Sequence, residues 1–369
     1  MRILWVTRGG GDDGSDAGDT IYDRRICGAL RQAHTFETIG AAKRGRLAQL
    51  AHAAARLSAP ETFGFDLPET VARIRRAMQT HQPDAIVFSH EHLDRLAGAV
   101  RRDLGQTAPA FVTIRHNVTS DAMASFLSDF PPGAALYRAI AQRQERGALA
   151  SVLFEGVIAL STRDKAILAQ AFGRTDAALA RPGPPPPLPL AADAIVVRAL
   201  VLLGTYDWFP KARDLRRFAD EIVQASPQGV TVHGDAGVPP ALAAQMSMQP
   251  SGALDLSAAI RFGVVTDRFT AGHKLKTAAY LMQNCAVLSF ADVIDDFCEI
   301  PHADRWIYRV RSVDDLAPIM AAMAARRQDE VRSELGVLKS DISEEMAWAK
   351  SASVVADAIQ RAVNLRRGI

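Results

Sequence analysis

Three lysines stand close to glycine turns, where a positive charge could contact a phosphate group. Lys211 lies seven residues after Gly204 in the sequence. Lys274 and Lys276 follow Gly272 at the start of a predicted helix. The free N–H groups at a helix start add the positive end of the helix dipole to the charge of the lysines. The alternative is that these are ordinary solvated lysines. We predict phosphate contact, above all for Lys211 and Lys276.

Polar side chains follow two predicted buried strands, at residues 85–89 and 111–114. Glu91 and His92 come after the first strand, and His116 comes after the second. In open α/β sheets, ligand-contacting groups lie at this end of the strands, so we expect these side chains to line a cleft. A structural role for His116 is the alternative. Glu91 lies between two histidines, but no further ligands stand nearby in the sequence, so we predict no metal site.

The loop after the first predicted strand is rich in glycine and acidic residues. Gly10 and Gly11 permit close approach of the backbone to a ligand, and Asp16 lies in the same loop. The acidic residues would repel a pyrophosphate, so the loop is not a dinucleotide-binding fingerprint. We predict a functional loop, with an ordinary surface loop as the alternative.

Strands and helices alternate along the chain, which predicts an α/β fold with parallel sheets. Apolar strand-like runs occupy residues 2–7, 85–89, 111–114, 156–160, 199–203, 230–233 and 286–289. Ser161 is predicted to cap a helix at residues 163–172.

A run of prolines at residues 182–190 is the main break in composition, and we place the domain boundary there. The expected domains are a Rossmann-like domain at residues 1–181 and a second at residues 191–345. A final helix at residues 346–369 is long enough to return to the first domain.

Composition excludes several classes of protein. The 369 residues suffice for two domains, and a net charge of +2 gives no reason to expect nucleic acid as a partner. Three scattered cysteines do not form a disulfide framework. No apolar run reaches the length of a membrane span or a signal peptide, so we expect a cytoplasmic protein.

Several segments, taken in order, resemble one enzyme family. They are residues 116–117, 157–161, 204–211 followed by 214–218, 272–280 and 285–288. Together they resemble the large retaining family of nucleotide-sugar glycosyltransferases, which includes bacterial enzymes of surface-polysaccharide synthesis. The resemblance implies GT-B architecture, with two Rossmann-like domains and a ligand cleft between them.

The resemblance also implies a reaction and a set of roles. A sugar would pass from a UDP- or GDP-type donor to a saccharide, lipid-linked or protein acceptor, with retained configuration and with neither a metal nor a bound cofactor. The implied catalytic residues are His116, Lys211 and Lys276. The implied donor-binding residues are Gly10, Gly11, Gly204, Gly272, Lys274, Tyr280 and Glu299. The implied acceptor-side residues are Asp16, Glu91 and His92.

The sequence departs from the family pattern at the donor site. Alanines, Ala271 and Ala279, replace two glutamates, one of which would bind the donor ribose, and Thr205 replaces an arginine. Glu299 and the Asp295–Asp296 pair are candidate substitutes for the lost carboxylate. The departure leaves two alternatives open, a catalytically silent binding subunit and a nucleotide-sugar epimerase.

Residues 41–57 form a predicted basic amphipathic helix. Lys43, Arg44, Arg46 and Arg56 accompany an apolar stripe at helical spacing, with no acidic residue among them. Such a face could lie on the anionic inner surface of a membrane. The alternative is that the stripe packs on the first domain.

Overall fold

The computed structural model describes residues 1–9, 18–43, 45, 47, 51, 65–127, 131–150, 153–206, 208–235, 237–250 and 255–369. The chain divides into two compact units. Unit 1 contains Met1–Pro182, Ala271–His273 and Trp348–Ile369, and unit 2 contains Gly183–Thr270 and Lys274–Ala347. Gly10, Gly11, Asp16 and most of the predicted basic helix at residues 41–57 lie outside the described residues.

Unit 1 is built on a six-stranded parallel sheet with the order β2-β1-β3-β4-β5-β6. Its strands are β1 (Arg2–Thr7), β2 (Thr35–Gly40), β3 (Ala85–Ser89), β4 (Ala110–Arg115), β5 (Gly156–Ala159) and β6 (Ala178–Leu179). Its described helices that precede unit 2 in the chain are α1 (Gly18–Leu30), α2 (Leu67–His81), α3 (Asp94–Leu104), α4 (Thr119–Phe126), α5 (Pro131–Leu149) and α6 (Thr162–Phe172). Alternate residues of a strand face opposite sides, so Leu4 and Val6 join one apolar cluster while Ile3 and Trp5 join another.

Unit 2 repeats this plan with the strand order β12-β11-β10-β7-β8-β9, again all parallel. Its strands are β7 (Ile195–Leu202), β8 (Thr231–Gly234), β9 (Gln249–Pro250), β10 (Ala259–Val265), β11 (Cys285–Ser289) and β12 (Ile307–Arg309). Its helices are α7 (Phe209–Ala225), α8 (Pro240–Gln245), α9 (Leu275–Met282), α10 (Leu316–Ala324) and α11 (Gln328–Glu345).

The last helix, α12 (Trp348–Arg367), belongs to unit 1. Its apolar face, with Val355 and Ile359, joins the cluster on one side of the first sheet. The predicted α/β class, with two parallel sheets and a returning C-terminal helix, is therefore confirmed. No helix among the described residues is long and apolar enough to cross a membrane.

Strand order reverses once in each sheet, and the reversal marks where ligands bind in such folds. In unit 1 the chain runs from β1 to β2 on one side and then returns to β3 on the other. In unit 2 the same reversal separates β7 from β10. A crevice forms at the carboxyl ends of the two strands that flank such a switch point, because the connections leave in opposite directions.

The proline-rich segment is fastened to unit 2 at its C-terminal end. Lys339, buried on α11, donates hydrogen bonds to the Leu188 carbonyl at 2.5 Å and to Asn284 Oδ1 at 2.6 Å. Asn284 Nδ2 in turn donates to the carbonyls of Pro189 and Leu256, both at 3.0 Å. A short polar network therefore holds a segment that cannot join a sheet.

Removing the Lys339 ammonium should destabilise the protein. In Lys339→Met the apolar stem remains, but the Leu188 carbonyl and Asn284 Oδ1 stay buried without their donor, so the free energy of unfolding should fall by about 1–3 kcal/mol. Urea denaturation measures the change. Gln245→Ala, which removes an exposed hydrogen bond to Asp220, is the control and should stay within about 0.5 kcal/mol of the wild type. Equal stability of the two variants would contradict the network's role.

Candidate functional site

The switch point of unit 1 gathers a cluster of polar side chains. Arg8 follows β1, Ser89 ends β3, and His90, Glu91 and His92 come next in a short 3-10 turn. His116 follows β4, the neighbour of β3. The structure thus brings together three residues that the sequence singled out: Glu91, His92 and His116.

Three imidazole rings lie against one another in this cluster. The His90 ring stacks on His116 with centroids 5.1 Å apart and an interplanar angle of 15°, and it lies 4.4 Å from the His92 ring. Tyr22 presents its ring edge to His116 at 5.6 Å. Burial, with a smaller contribution from the Arg8 charge, lowers the pKa of His116 to about 4 and that of His92 to about 3, and Asp19 opposes the shift at His116. These two rings are therefore neutral at physiological pH.

The Glu91 carboxylate is hydrogen-bonded to the main chain directly after β4. It accepts hydrogen bonds from the backbone N–H of His116 at 3.1 Å, and from the backbone N–H and the side-chain amide of Asn117, each at 3.4 Å. Glu91 is only 4% exposed, and burial raises its pKa to about 7. The carboxylate therefore positions the main chain of His116, and its predicted contact with an acceptor stays a prediction.

A second chain of hydrogen bonds orients the His116 ring. The Ser89 hydroxyl donates to Asp23 Oδ1 and lies 3.3 Å from His116 Nε2. Burial raises the pKa of Asp23 to about 7. Where Asp23 is ionised its carboxylate accepts the hydroxyl proton, so Ser89 accepts from an Nε2–H and His116 Nδ1 is left as an acceptor. Trp5 Nε1 also donates to Asp23, at 3.2 Å.

Sequence reasoning missed Arg8, Ser89 and Asp23 in this cluster. A polar residue at the last position of a wholly buried strand was a signal for Ser89. Arg8 directly follows β1, the first strand along the chain. Asp23 gave no such signal, because it lies in the middle of α1, where an acidic residue is usually solvated.

The ligand atoms of His90, Glu91 and His92 lie within 4.8 Å of one another, a spacing that a metal ion could use. Arg8, however, lies 2.9 Å from His90 Nε2. A fixed guanidinium at one of the candidate ligand atoms disfavours a second cation there. The absence of a metal in the reaction stays a prediction.

The switch point of unit 2 contains a tight turn at the end of β7. Gly204 has φ 91°, a conformation that favours glycine, and its N–H donates to Asp235 Oδ2 at 2.6 Å. Tyr280 supports the turn from below: its hydroxyl accepts from the Leu203 N–H at 2.9 Å and donates to the Val264 carbonyl at 3.2 Å. Tyr280 is wholly buried and both hydrogen bonds of its hydroxyl go to the main chain. Its predicted contact with the donor stays a prediction.

Two lysines at this edge sit on aromatic rings. The Lys276 side chain lies against Gly204, where an added Cβ would be 2.8 Å from Lys276 Cε, and its ammonium lies 3.9 Å from the Tyr206 ring centre. The Lys274 ammonium lies 3.8 Å from the centre of the Phe269 ring. Cation–π contacts of this kind restrict where a lysine places its charge.

The three predicted lysines lie within electrostatic reach of one another. Burial is the main cause that lowers the pKa of Lys276 to about 8; the charges of Lys211 and Lys274 contribute to the shift, and those of Asp267 and Asp235 oppose it. Both aspartates were missed by sequence reasoning. Asp267 follows β10 and is 3% exposed, and its Oδ1 has no hydrogen-bond partner among the described residues.

The other predicted residues are placed as follows. Lys211 lies in the first turn of α7, which begins at Phe209 rather than near residue 212, because Pro210 fits the start of a helix. Gly272 has φ 62° and belongs to unit 1, where an added Cβ would lie 2.5 Å from the His116 carbonyl oxygen. Glu299 is exposed beyond a 3-10 turn at Ile294–Phe297 that follows β11. Its role as a substitute carboxylate stays a prediction.

The neutral state of His116 can be measured by nitrogen NMR, with His116→Gln as the assignment variant. The wild-type ring should stay in the neutral Nε2–H form at neutral pH and should protonate only as the pH falls towards about 4. Ser89→Ala should shift the ring towards a mixture of tautomers, because the acceptor for Nε2–H is lost. Thr113→Val, which removes a buried hydroxyl on β4, should leave the tautomer unchanged. A ring that protonates near its ordinary pKa of about 6.5 would contradict the burial described here.

No family model matches the sequence, and no curated protein matches it. Solved structures do match. Sucrose-phosphate synthase from Thermosynechococcus elongatus aligns with a TM-score of 0.62 and 13% identity over 100% of this chain and 99% of its own.

Trehalose-phosphate synthases are similar to a comparable degree. The UDP-forming enzyme from Burkholderia xenovorans, in complex with glucose-6-phosphate, aligns with a TM-score of 0.61 and 12% identity over 98% of this chain and 100% of its own. An E. coli structure bound with UDP-2-fluoro glucose aligns with a TM-score of 0.58 and 13% identity over 97% and 99%. At these identities the likeness concerns architecture, and this chain has the GT-B fold.

Proposed function

We propose that this protein is a glycosyltransferase that moves a sugar from a nucleoside diphosphate donor to an acceptor hydroxyl. The observation that carries the proposal is the set of three lysines beside the Gly204 turn, at the switch point of unit 2. In such a reaction the bond between the sugar C1 and the phosphate oxygen breaks, and negative charge grows on the departing diphosphate. Cations held in place before the reaction stabilise that charge.

The diphosphate would lie on Lys211, Lys274 and Lys276. Asp235 is occupied by the turn itself, because its two oxygens accept from the N–H groups of Gly204 and Gly237. Bringing in a diphosphate raises the pKa of the nearby lysines, so Lys276 would be fully charged in the complex. Lysines in this arrangement supply the role that a metal ion has in other transferases, so we propose a metal-independent reaction.

The sugar and the acceptor would contact unit 1. His116 Nδ1, left as an acceptor by Ser89, suits a hydrogen bond from a sugar hydroxyl. The acceptor hydroxyl forms the new bond to C1 and gives up its proton, which the departing phosphate oxygen takes. Retention of configuration rests on the family resemblance, and NMR of the anomeric proton of the product tests it.

The printed names of the similar structures support the class of substrate. One of these proteins is bound with a UDP-sugar analogue, and another is a UDP-forming synthase in complex with glucose-6-phosphate. We therefore propose a UDP- or GDP-type donor and a saccharide acceptor, free or attached to a lipid or a protein. Cytoplasmic location and contact of residues 41–57 with an anionic membrane remain predictions.

Lys276→Met should lower turnover by about a hundredfold or more, the effect of losing one preorganised charge at a site of charge development. Sugar release from labelled UDP- and GDP-sugars, with and without added saccharide acceptors, measures turnover. Lys165→Met removes an exposed lysine on α6 and should leave turnover unchanged. A folded Lys276→Met variant with wild-type turnover would remove this lysine from the reaction.

The same assay separates the alternatives. Thermal shift comes first, because a nucleotide at about 100 times its dissociation constant stabilises the folded protein by about 2.7 kcal/mol. Binding of donor without transfer or hydrolysis would identify a silent binding subunit, which the alanines at positions 271 and 279 favour. Conversion of one free nucleotide sugar into another would identify an epimerase.

His116→Ala should reduce turnover more than it weakens nucleoside diphosphate binding, because the ring is expected to meet the sugar and not the nucleotide. Steady-state rates give the first quantity, and calorimetry with UDP or GDP gives the second. His34→Ala, in the turn between α1 and β2, is the control. Equal loss of both quantities would contradict a sugar contact.

A further inference from the structure

An exposed aromatic pair stands beside the lysines of unit 2. Trp208 is 48% exposed and Phe209 is 75% exposed, and they lie where the loop after β7 enters α7. Large apolar side chains at this exposure are costly to leave in water, so two in succession at the ligand-binding edge of a sheet call for a ligand.

The Trp208 ring packs against one buried aromatic side chain. Its ring meets Phe269 at an interplanar angle of 87° with centroids 5.6 Å apart. Phe269 is itself 2% exposed and carries the Lys274 ammonium over its face. The Phe269 ring therefore contacts both the Trp208 indole and the ammonium of Lys274, one of the three lysines proposed to bind phosphate.

We infer that Trp208 stacks on the nucleobase of the nucleoside diphosphate whose phosphates contact Lys211, Lys274 and Lys276. This inference rests on the proposed function. A nucleoside diphosphate carries a flat aromatic ring at one end and phosphates at the other, which matches a rigid indole and a lysine set on one sheet edge. Every base has a π face, so stacking on an aromatic side chain requires no particular hydrogen-bond pattern.

The composition of helix α9 points the same way. Its sequence LKTAAYLM contains no acidic side chain that could accept hydrogen bonds from ribose hydroxyls. Affinity for the nucleoside half of the donor must then come from other contacts, and a half-exposed indole offers a large apolar area at a low cost in side-chain entropy.

Calorimetry with UDP, GDP and inorganic pyrophosphate tests the stacking. Trp208→Ala should weaken both nucleoside diphosphates by about fivefold to a hundredfold, the range that stacking of one base supplies. It should leave pyrophosphate affinity unchanged, because pyrophosphate has no base. Trp208→Phe should retain most of the affinity. Val223→Ala, which removes a 46% exposed side chain from the far end of α7, should behave as the wild type.

Fluorescence gives a second readout. Trp5 and Trp306 are fully buried and Trp348 is half-buried, so Trp208, at 48% exposure, is the tryptophan most open to quenching by a stacked base. UDP or GDP should quench the wild-type emission, and Trp208→Phe should abolish that quenching while nucleotide still binds.

Three results would overturn the inference. The first is unchanged nucleoside diphosphate affinity in Trp208→Ala, and the second is an equal loss of pyrophosphate affinity. The third is binding of phosphatidylglycerol vesicles that Trp208→Ala abolishes while nucleotide affinity stays constant, which would assign the pair to a membrane surface. If the wild type binds no nucleoside diphosphate, the proposed function fails as well; if it binds and transfers but Trp208→Ala does so equally, only the stacking fails.

Discussion

The contact between Lys276 and the turn at Gly204 fixes the arrangement of charge in unit 2. The space that a side chain at position 204 would fill is occupied by the lysine stem, and the left-handed backbone keeps that position a glycine. Hydrogen bonds from the turn to Asp235 and to the hydroxyl of Tyr280 stabilise this backbone conformation. The Lys276 stem thus lies against a turn held by residues that follow β7 and β8 and by α9, and its ammonium lies within electrostatic reach of Lys211 and Lys274.

The polar cluster of unit 1 consists mainly of buried, neutral side chains, whereas that of unit 2 contains charged lysines. The clustered histidines of unit 1, such as His92 and His116, are buried and stay neutral. The carboxylate of Glu91 accepts from the main chain at the end of β4, and that of Asp23 accepts from Ser89, which contacts the His116 ring. Neutral imidazoles recognise hydroxyl groups, whereas lysines recognise phosphates. The two clusters therefore differ in the kind of chemical group that they can bind.

Much of the fold could be predicted because buried parallel strands are continuous apolar runs. Strands β3 and β4 follow this rule, and both were found. Strand β10 was missed because Arg261 interrupts its apolar run; this arginine donates to the carbonyls of Asp255 and Ala259, which local sequence does not reveal. Strand β2 was missed because an edge strand such as TFETIG is only partly buried.

The candidate site divides in the same way. Lysines beside glycine turns and a histidine after a strand were recognisable from local sequence alone. Asp23, Asp235 and Asp267 were not, because each acquires its role from a strand or helix distant in sequence. The inward turn of Glu91 and the burial of Tyr280 depend on packing across the sheet, which neither spacing nor residue type specifies.

The low pKa of Lys276 gives this side chain a chemical property besides its charge. With a pKa of about 8, a substantial fraction of the amine is neutral, and therefore nucleophilic, at a pH where ordinary surface lysines remain almost fully protonated. Mild acylating reagents should consequently modify Lys276 ahead of exposed lysines wherever access allows. Protection of this amine by a bound anion would then map occupancy of the edge by mass spectrometry, without knowledge of the sugar or the acceptor.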